Sequence, residues 1–161
     1  TDSAILRAIT RRRDLTDVTV SLRLRHDSFV TTPSTPATAW DGEHLFLRYV
    51  DETSLYSVSF DRRDGSTAIK KKVPGGTSNG GTYYTLASGT DSFVAGSFHD
   101  LRATIRTTSN GSVTIGLWVD GTPVLSAIDI GVGGPPIPSG GIGIRGDNAE
   151  FTFDDLVVTS P

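Results

Sequence analysis

Apolar and polar residues alternate with a period of two along most of the chain. The run Asp17-Val18-Thr19-Val20-Ser21-Leu22-Arg23-Leu24-Arg25 does so over its full length. That is the pattern of a strand with one buried face, and it assigns Val18, Val20, Leu22 and Leu24 to the core. Ala4 to Ile9 is already strand-like. Residues 26–43 carry Pro33 and Pro36 among serines and threonines and end at Trp40-Asp41-Gly42. They form an expected loop of roughly 18 residues, long enough to suspect a binding role. An antiparallel meander follows: His44 to Val50, a turn at Asp51-Glu52-Thr53, Leu55 to Phe60, a turn at Asp64-Gly65, and Thr67 to Val73. Asp-Gly between alternating runs is a hairpin signal. A second loop is expected over 74–81, after which Thr82 to Leu86 returns as a strand. Phe98 to Arg106 and Val113 to Val119 flank Asn110-Gly111, and Asp120-Gly121 turns the chain again. Beyond a proline-containing loop over 131–141, Gly140 to Val158 is predicted to close the chain as a hairpin turned at Gly146-Asp147-Asn148. The sum is roughly ten to twelve short strands with no helical period beyond about two turns, an all-β, two-sheet antiparallel sandwich.

Composition changes this picture little. A length of 161 residues suits a single domain, 1–161, with one core. The 18 glycines and 8 prolines are scattered between apolar runs and so mark turns rather than disorder. Cysteine is absent, which removes disulfides, thiolate metal sites and cysteine nucleophiles from consideration. A formal net charge of −3 argues against nucleic acid as the default partner. No apolar run approaches the roughly 20 residues of a membrane helix, so no membrane insertion is expected. The abrupt start at Thr1 suggests a piece processed or excised from a longer chain.

Four segments occur in a telling order: Phe98-His99-Asp100-Leu101-Arg102-Ala103-Thr104-Ile105, Leu117-Trp118-Val119-Asp120-Gly121-Thr122-Pro123-Val124, Gly141-Ile142-Gly143-Ile144-Arg145, and Phe151-Thr152-Phe153-Asp154-Asp155-Leu156-Val157-Val158. An aromatic-His strand, a strand ending in V-D-G, a G-x-G-x-R strand and a closing F-D-D strand resemble the concanavalin A-like lectin/glucanase superfamily of laminin G-like domains, legume lectins and family 16 glycoside hydrolases. The first half fits more loosely, through Leu45 to Val73. The resemblance implies a jelly-roll β-sandwich, secreted or at the cell surface, alongside neighbouring domains of a larger protein. Catalysts, lectins and structural modules share that fold, so the site must decide the function.

Four chemistries compete. Asp147, Asn148, Asp154 and Asp155 offer oxygen ligands suited to Ca²⁺, and by strand position the resemblance implies Asp154 as the ligand of a structural Ca²⁺. Hydrolysis of a glycosidic bond needs two carboxylates flanking it. The family 16 arrangement E-x-D-x-E is absent, with Glu43, Glu52 and Glu150 the only glutamates. β-Elimination on a uronic-acid polymer needs a base near a cation. His99, Tyr83 and Arg48 could imitate a lyase's set, although the Q-x-H and Y-x-K-x-G-x-Y-x-Q strands of jelly-roll lyases are missing. Non-catalytic sugar binding needs aromatic faces with planar or charged groups. Alternation turns Arg48, Lys70 and Lys72 outward as a basic patch, with Trp40, Tyr83 and His99 completing the expected ligand-binding set. The favoured reading is a non-catalytic carbohydrate-binding module for a polysaccharide, an anionic one by its basic patch. A small lyase or hydrolase, then a structural or protein-binding sandwich, are the alternatives. The glycan is expected over a sheet built from residues 44–86 and 98–118.

Overall fold

In the computed structural model, residues 4–90 and 93–161 are described, and no helix occurs among them. Eleven strands follow one another: β1 (Ile5–Ile9), β2 (Val18–Phe29), β3 (Gly42–Asp51), β4 (Ser54–Phe60), β5 (Ser66–Ser78), β6 (Gly81–Thr90), β7 (His99–Thr107), β8 (Val113–Val119), β9 (Thr122–Asp129), β10 (Gly141–Asp147) and β11 (Ala149–Thr159). They form a six-stranded sheet ordered β1-β10-β3-β4-β5-β6 and a five-stranded sheet ordered β11-β2-β7-β8-β9. All neighbours are antiparallel.

The inner faces meet in one apolar cluster. Val18, Val20, Leu22 and Leu24 of β2 pack with Leu45 and Leu47 of β3, Val58 and Phe60 of β4, Leu101, Ala103 and Ile105 of β7, and Ile142 and Ile144 of β10. The alternation in the sequence therefore marks these buried faces correctly. Burying a side chain of this size contributes about 1.5–3 kcal/mol before ordering costs, which is why the polar positions between them are left to face outward.

The structure differs from the expected elements in four places. β2 continues to Phe29, so the loop begins later than residue 26, and β5 runs on to Ser78 before a tight Asn79–Gly80 turn, where both residues have positive φ. β10 and β11 do not pair with each other as a hairpin. Asn148, with φ 47°, turns the chain from one sheet into the other. Its side chain fixes the corner, accepting from Ala4 N at 2.8 Å and donating to Asp41 Oδ1 at 2.9 Å. A Phe-Thr-Phe run looks the same whether it pairs with its predecessor or starts the opposite layer, so period alone could not separate the two. Finally, β7 and β8 belong to the five-stranded sheet, away from β3–β6.

Candidate functional site

The outer face of the six-stranded sheet carries a groove of about 430 Å³. Its floor is built by period-two positions that point away from the core: Arg145 and Asp147 on β10, His44 and Phe46 on β3, Ser57 and Ser59 on β4, Lys70 and Lys72 on β5, and Tyr83 on β6. Trp40 and Arg62 border the same groove, as do Ser78 and Asn79 from the end of the β5–β6 hairpin. Antiparallel register brings these side chains together, with Arg145 opposite His44, His44 opposite Ser59, Phe46 opposite Ser57, Ser57 opposite Lys70, and Lys72 opposite Tyr83.

The groove is cationic with an aromatic component. Arg145 Nη2 binds Asp147 at 2.7 Å and Arg62 Nη2 binds Asp64 at 3.1 Å. Lys72 donates to the Glu52 carbonyl at 2.6 Å and sits 5.0 Å over the Tyr83 ring. Lys70 has neither a hydrogen bond nor an ion pair among the described residues, and burial together with Arg62 pushes its pKa down. An amine held this way is more strongly in need of an anion than a solvated surface lysine. His44 is a neutral imidazole, its pKa lowered to about 3 by burial and then by Arg145, Arg62 and Lys70. Its Nδ1 lies 2.8 Å from Ser59 Oγ. Trp40 is 56% exposed, free to offer its face, whereas Phe46 is buried against Tyr49 with ring centroids 5.7 Å apart.

Trp40, Lys70, Lys72 and Tyr83 thus share one groove, although Lys72 covers one face of the Tyr83 ring. Arg48 is elsewhere. The pairing of β3 slips on both sides at this point, between Leu47 and Asp51 against β4 and between Gly141 and Gly143 against β10. Arg48 takes φ 46° as the extra residue of this bulge, so Leu47 and Arg48 both turn inward and Tyr49 emerges on the Phe46 side. The buried guanidinium donates to Thr16 O, Ile137 O, Asp17 Oδ1 and Thr107 Oγ1 at 2.7–3.0 Å. His99 also lies outside the groove. It opens β7 in the opposite sheet, with Nδ1 2.6 Å from Asp120 Oδ2 and its ring against Phe93. Trp118 lies on the outer face of that sheet beneath the Arg102 guanidinium, 4.3 Å from the ring centroid.

The donors considered for Ca²⁺ are dispersed. Asp147 is engaged with Arg145, and Asn148 with Ala4 and Asp41. Asp154 is exposed on β11, its Oδ1 accepting from the Asp155 backbone N–H at 2.8 Å. Among the described residues, Asp154 and Asp155 belong to no group of three or more His, Asp or Glu donors close enough to share an ion. Most of the groove lies outside the expected ligand-binding set, Arg145 included, and Asp147 was expected only as a Ca²⁺ donor. The G-x-G-x-R pattern held the signal, because Ile142 and Ile144 as inward positions force Arg145 outward.

No protein-family model and no curated protein matches the sequence. Solved structures do. Carbohydrate-binding module CBM66 from Bacillus subtilis superposes with a TM-score of 0.71 at 12% identity, over 99% of this chain and 84% of its own. A Bacillus subtilis protein of unknown function with a galectin-like fold gives 0.70 at 13%, over 99% and 79%. The fold is the jelly-roll β-sandwich of these structures. Catalysts share the jelly roll as well: an endo-β-1,4-glucuronan lyase from the fungus Trichoderma reesei gives 0.61 at 10%, over 100% of this chain and 76% of its own. At such identities the likeness is one of fold, and the groove's own residues must carry any functional argument.

Proposed function

We propose that the chain is a non-catalytic carbohydrate-binding module whose groove takes an anionic polysaccharide, one bearing uronate or sulfate groups. The observation that carries this is Lys70, a half-buried ammonium with no hydrogen bond or ion pair among the described residues, flanked in one groove by Lys72, Arg62 and Arg145 and bordered by the exposed face of Trp40. A pyranose would stack on Trp40 while its carboxylate or sulfate takes charge-assisted hydrogen bonds from Lys70 and the neighbouring cations. Ser57 and Ser59 supply hydroxyls for neutral positions. Each cationic partner except Lys70 is already held by the protein, so little ordering is needed when the ligand arrives. The sharing of this fold with a carbohydrate-binding module and a glucuronan lyase is consistent with a glycan ligand.

The same chemistry disfavours elimination. A base must accept a proton at neutral pH, yet His44 is held neutral with a pKa near 3 and burial raises that of the Tyr83 hydroxyl. We further propose that the module works outside the cell or on its surface beside other domains. The test is affinity electrophoresis against polyuronates, sulfated glycans and neutral glucans, together with ultraviolet absorbance for unsaturated uronate. Retardation by acidic polymers without new absorbance is expected. Binding to none of them overturns the proposal, and unsaturated product replaces it with a lyase.

A further inference from the structure

At the end of the sandwich core, the inward alternation of β2 and β3 reaches polar residues. His26 follows Leu24 in phase, and Glu43 precedes Leu45. Both are buried, as is most of Asp61, which follows Phe60 at the end of β4. His26 Nδ1 is 2.9 Å from Glu43 Oε1 and 3.3 Å from Asp61 Oδ2, so one residue of the five-stranded sheet faces two from the six-stranded sheet. The backbone is locked to keep them there. Gly42 has φ 141°, and a Cβ at that position would lie 2.5 Å from the Asp61 carbonyl oxygen, so β3 can approach the Asp61 segment this closely only without a side chain. The Phe29 ring, 4.3 Å from the imidazole between centroids, fixes the ring of His26 from the side.

Protons serve this arrangement poorly. An imidazolium Nδ1–H is a single donor, and Glu43 Oε1 takes it at the better distance. Glu43 Oε2, on a side chain with 0% exposure, has no hydrogen-bond partner among the described residues. A buried carboxylate oxygen without a donor costs on the order of 1–3 kcal/mol or more. The three ligand atoms lie within 4.8 Å of one another. Donors each about 2.1 Å from a common metal and about 90–109° apart stand about 3.0–3.4 Å from each other, close to both separations seen here.

We propose that His26, Glu43 and Asp61 form a binding site for a divalent transition-metal ion of the zinc type, clamping the two sheets together at one end of the core. One imidazole nitrogen and two carboxylates suit Zn²⁺ or Co²⁺, whereas Ca²⁺ and Mg²⁺ take all-oxygen sets. The ion binds Glu43 Oε1 and Asp61 Oδ2 together, and bidentate binding by Glu43 engages Oε2 as well. It displaces the imidazole proton, so binding weakens as pH falls. None of its three residues lines the groove.

The test uses the whole chain, stripped with chelator and then titrated with Zn²⁺ and with Co²⁺ at neutral pH. One equivalent of Zn²⁺ by equilibrium dialysis is expected. The thermal midpoint should rise by about 5–10 °C when free Zn²⁺ is 100-fold above its Kd, and return on chelation. His26→Gln and Glu43→Gln should each abolish the rise. Where those variants do not fold, the wild type decides: Co²⁺ should shift or broaden the His26 ring protons and give the intense visible bands of a four- or five-coordinate ion. Absence of stoichiometric Zn²⁺, a Co²⁺ spectrum identical to the hydrated ion, or an undiminished Zn²⁺ response in folded His26→Gln overturns the proposal.

Discussion

Replacing Arg48 with methionine separates two roles that its sequence position leaves open. In the structure the guanidinium is 1% exposed and donates four hydrogen bonds, one of them to Asp17 Oδ1 at 2.9 Å. Methionine fills much of the volume but donates nothing. Breaking a wholly buried ion pair costs about 3–5 kcal/mol, because the remaining charge stays unpaired. The Asp17 side chain is 30% exposed and can recover hydration, whereas the Ile137 carbonyl, accepting at 2.7 Å, loses its donor. The expected loss therefore sits at the lower end, about 3 kcal/mol. For a chain of this length each kcal/mol moves the midpoint by about 2–4 °C, so Arg48→Met should melt about 6–12 °C earlier. Calorimetry measures this, and glycan affinity measured well below both midpoints should be unchanged. A midpoint within about 2 °C of wild type, or a variant of normal stability that has lost glycan affinity, would refute the assignment of Arg48 to the interior.

The groove residues should behave in the opposite way. Lys70→Ala should weaken an acidic polysaccharide about tenfold with little change in stability, and should flatten the salt dependence of binding; titration calorimetry at two ionic strengths reads both. Trp40→Ala should leave the midpoint nearly unchanged, since the ring is mostly exposed, while lowering affinity for acidic and neutral residues alike by several-fold. His44 provides a pH prediction. Its folded pKa of about 3 lies below its unfolded value of 6.5, so the unfolded chain takes up the proton first. The stability it contributes is present above 6.5 and is lost as pH falls from there towards 3, at up to about 1.4 kcal/mol per pH unit. The effect of His26 runs the other way: burial opposes its charge, but Glu43 and Asp61 outweigh burial and raise its pKa. Denaturant unfolding across pH should therefore show a shallower acid limb in His44→Gln than in wild type, and an identical limb would count against a buried neutral imidazole.

What the sequence disclosed depended on whether side-chain period was enough to decide. It placed Val18 to Leu24, Leu45, Leu47 and the Lys70/Lys72 pair on their proper faces because those runs keep an unbroken alternation. Arg48 was assigned to the wrong face for the same reason. A bulge inserts one residue and reverses parity after it, and nothing in Leu47-Arg48-Tyr49 announces a positive φ. His99 was grouped with the groove because strand order in a sheet is set by long-range pairing that local pattern does not carry. Conversely, His26 and Glu43 were legible in principle. Each is a charged or titratable residue at the next inward position of a core-facing run, and such an exception to alternation carries more information than the rule.

The corner at Asn148 has a consequence for the order in which the molecule can be made. β10 pairs with β1 and β3, and β11 with β2, so both sheets stay incomplete until the last eighth or so of the chain is available. Asn148 itself reaches back 144 positions to Ala4. Closing such long loops is slow relative to zipping a meander. During synthesis β3 to β6 can assemble early, presenting Lys70, Lys72 and Tyr83 on a sheet that lacks Arg145 and Asp147. The groove acquires its far wall only with β10, so ligand binding should report completion of folding, and a chain shortened before Gly141 should keep the lysines yet lack the groove.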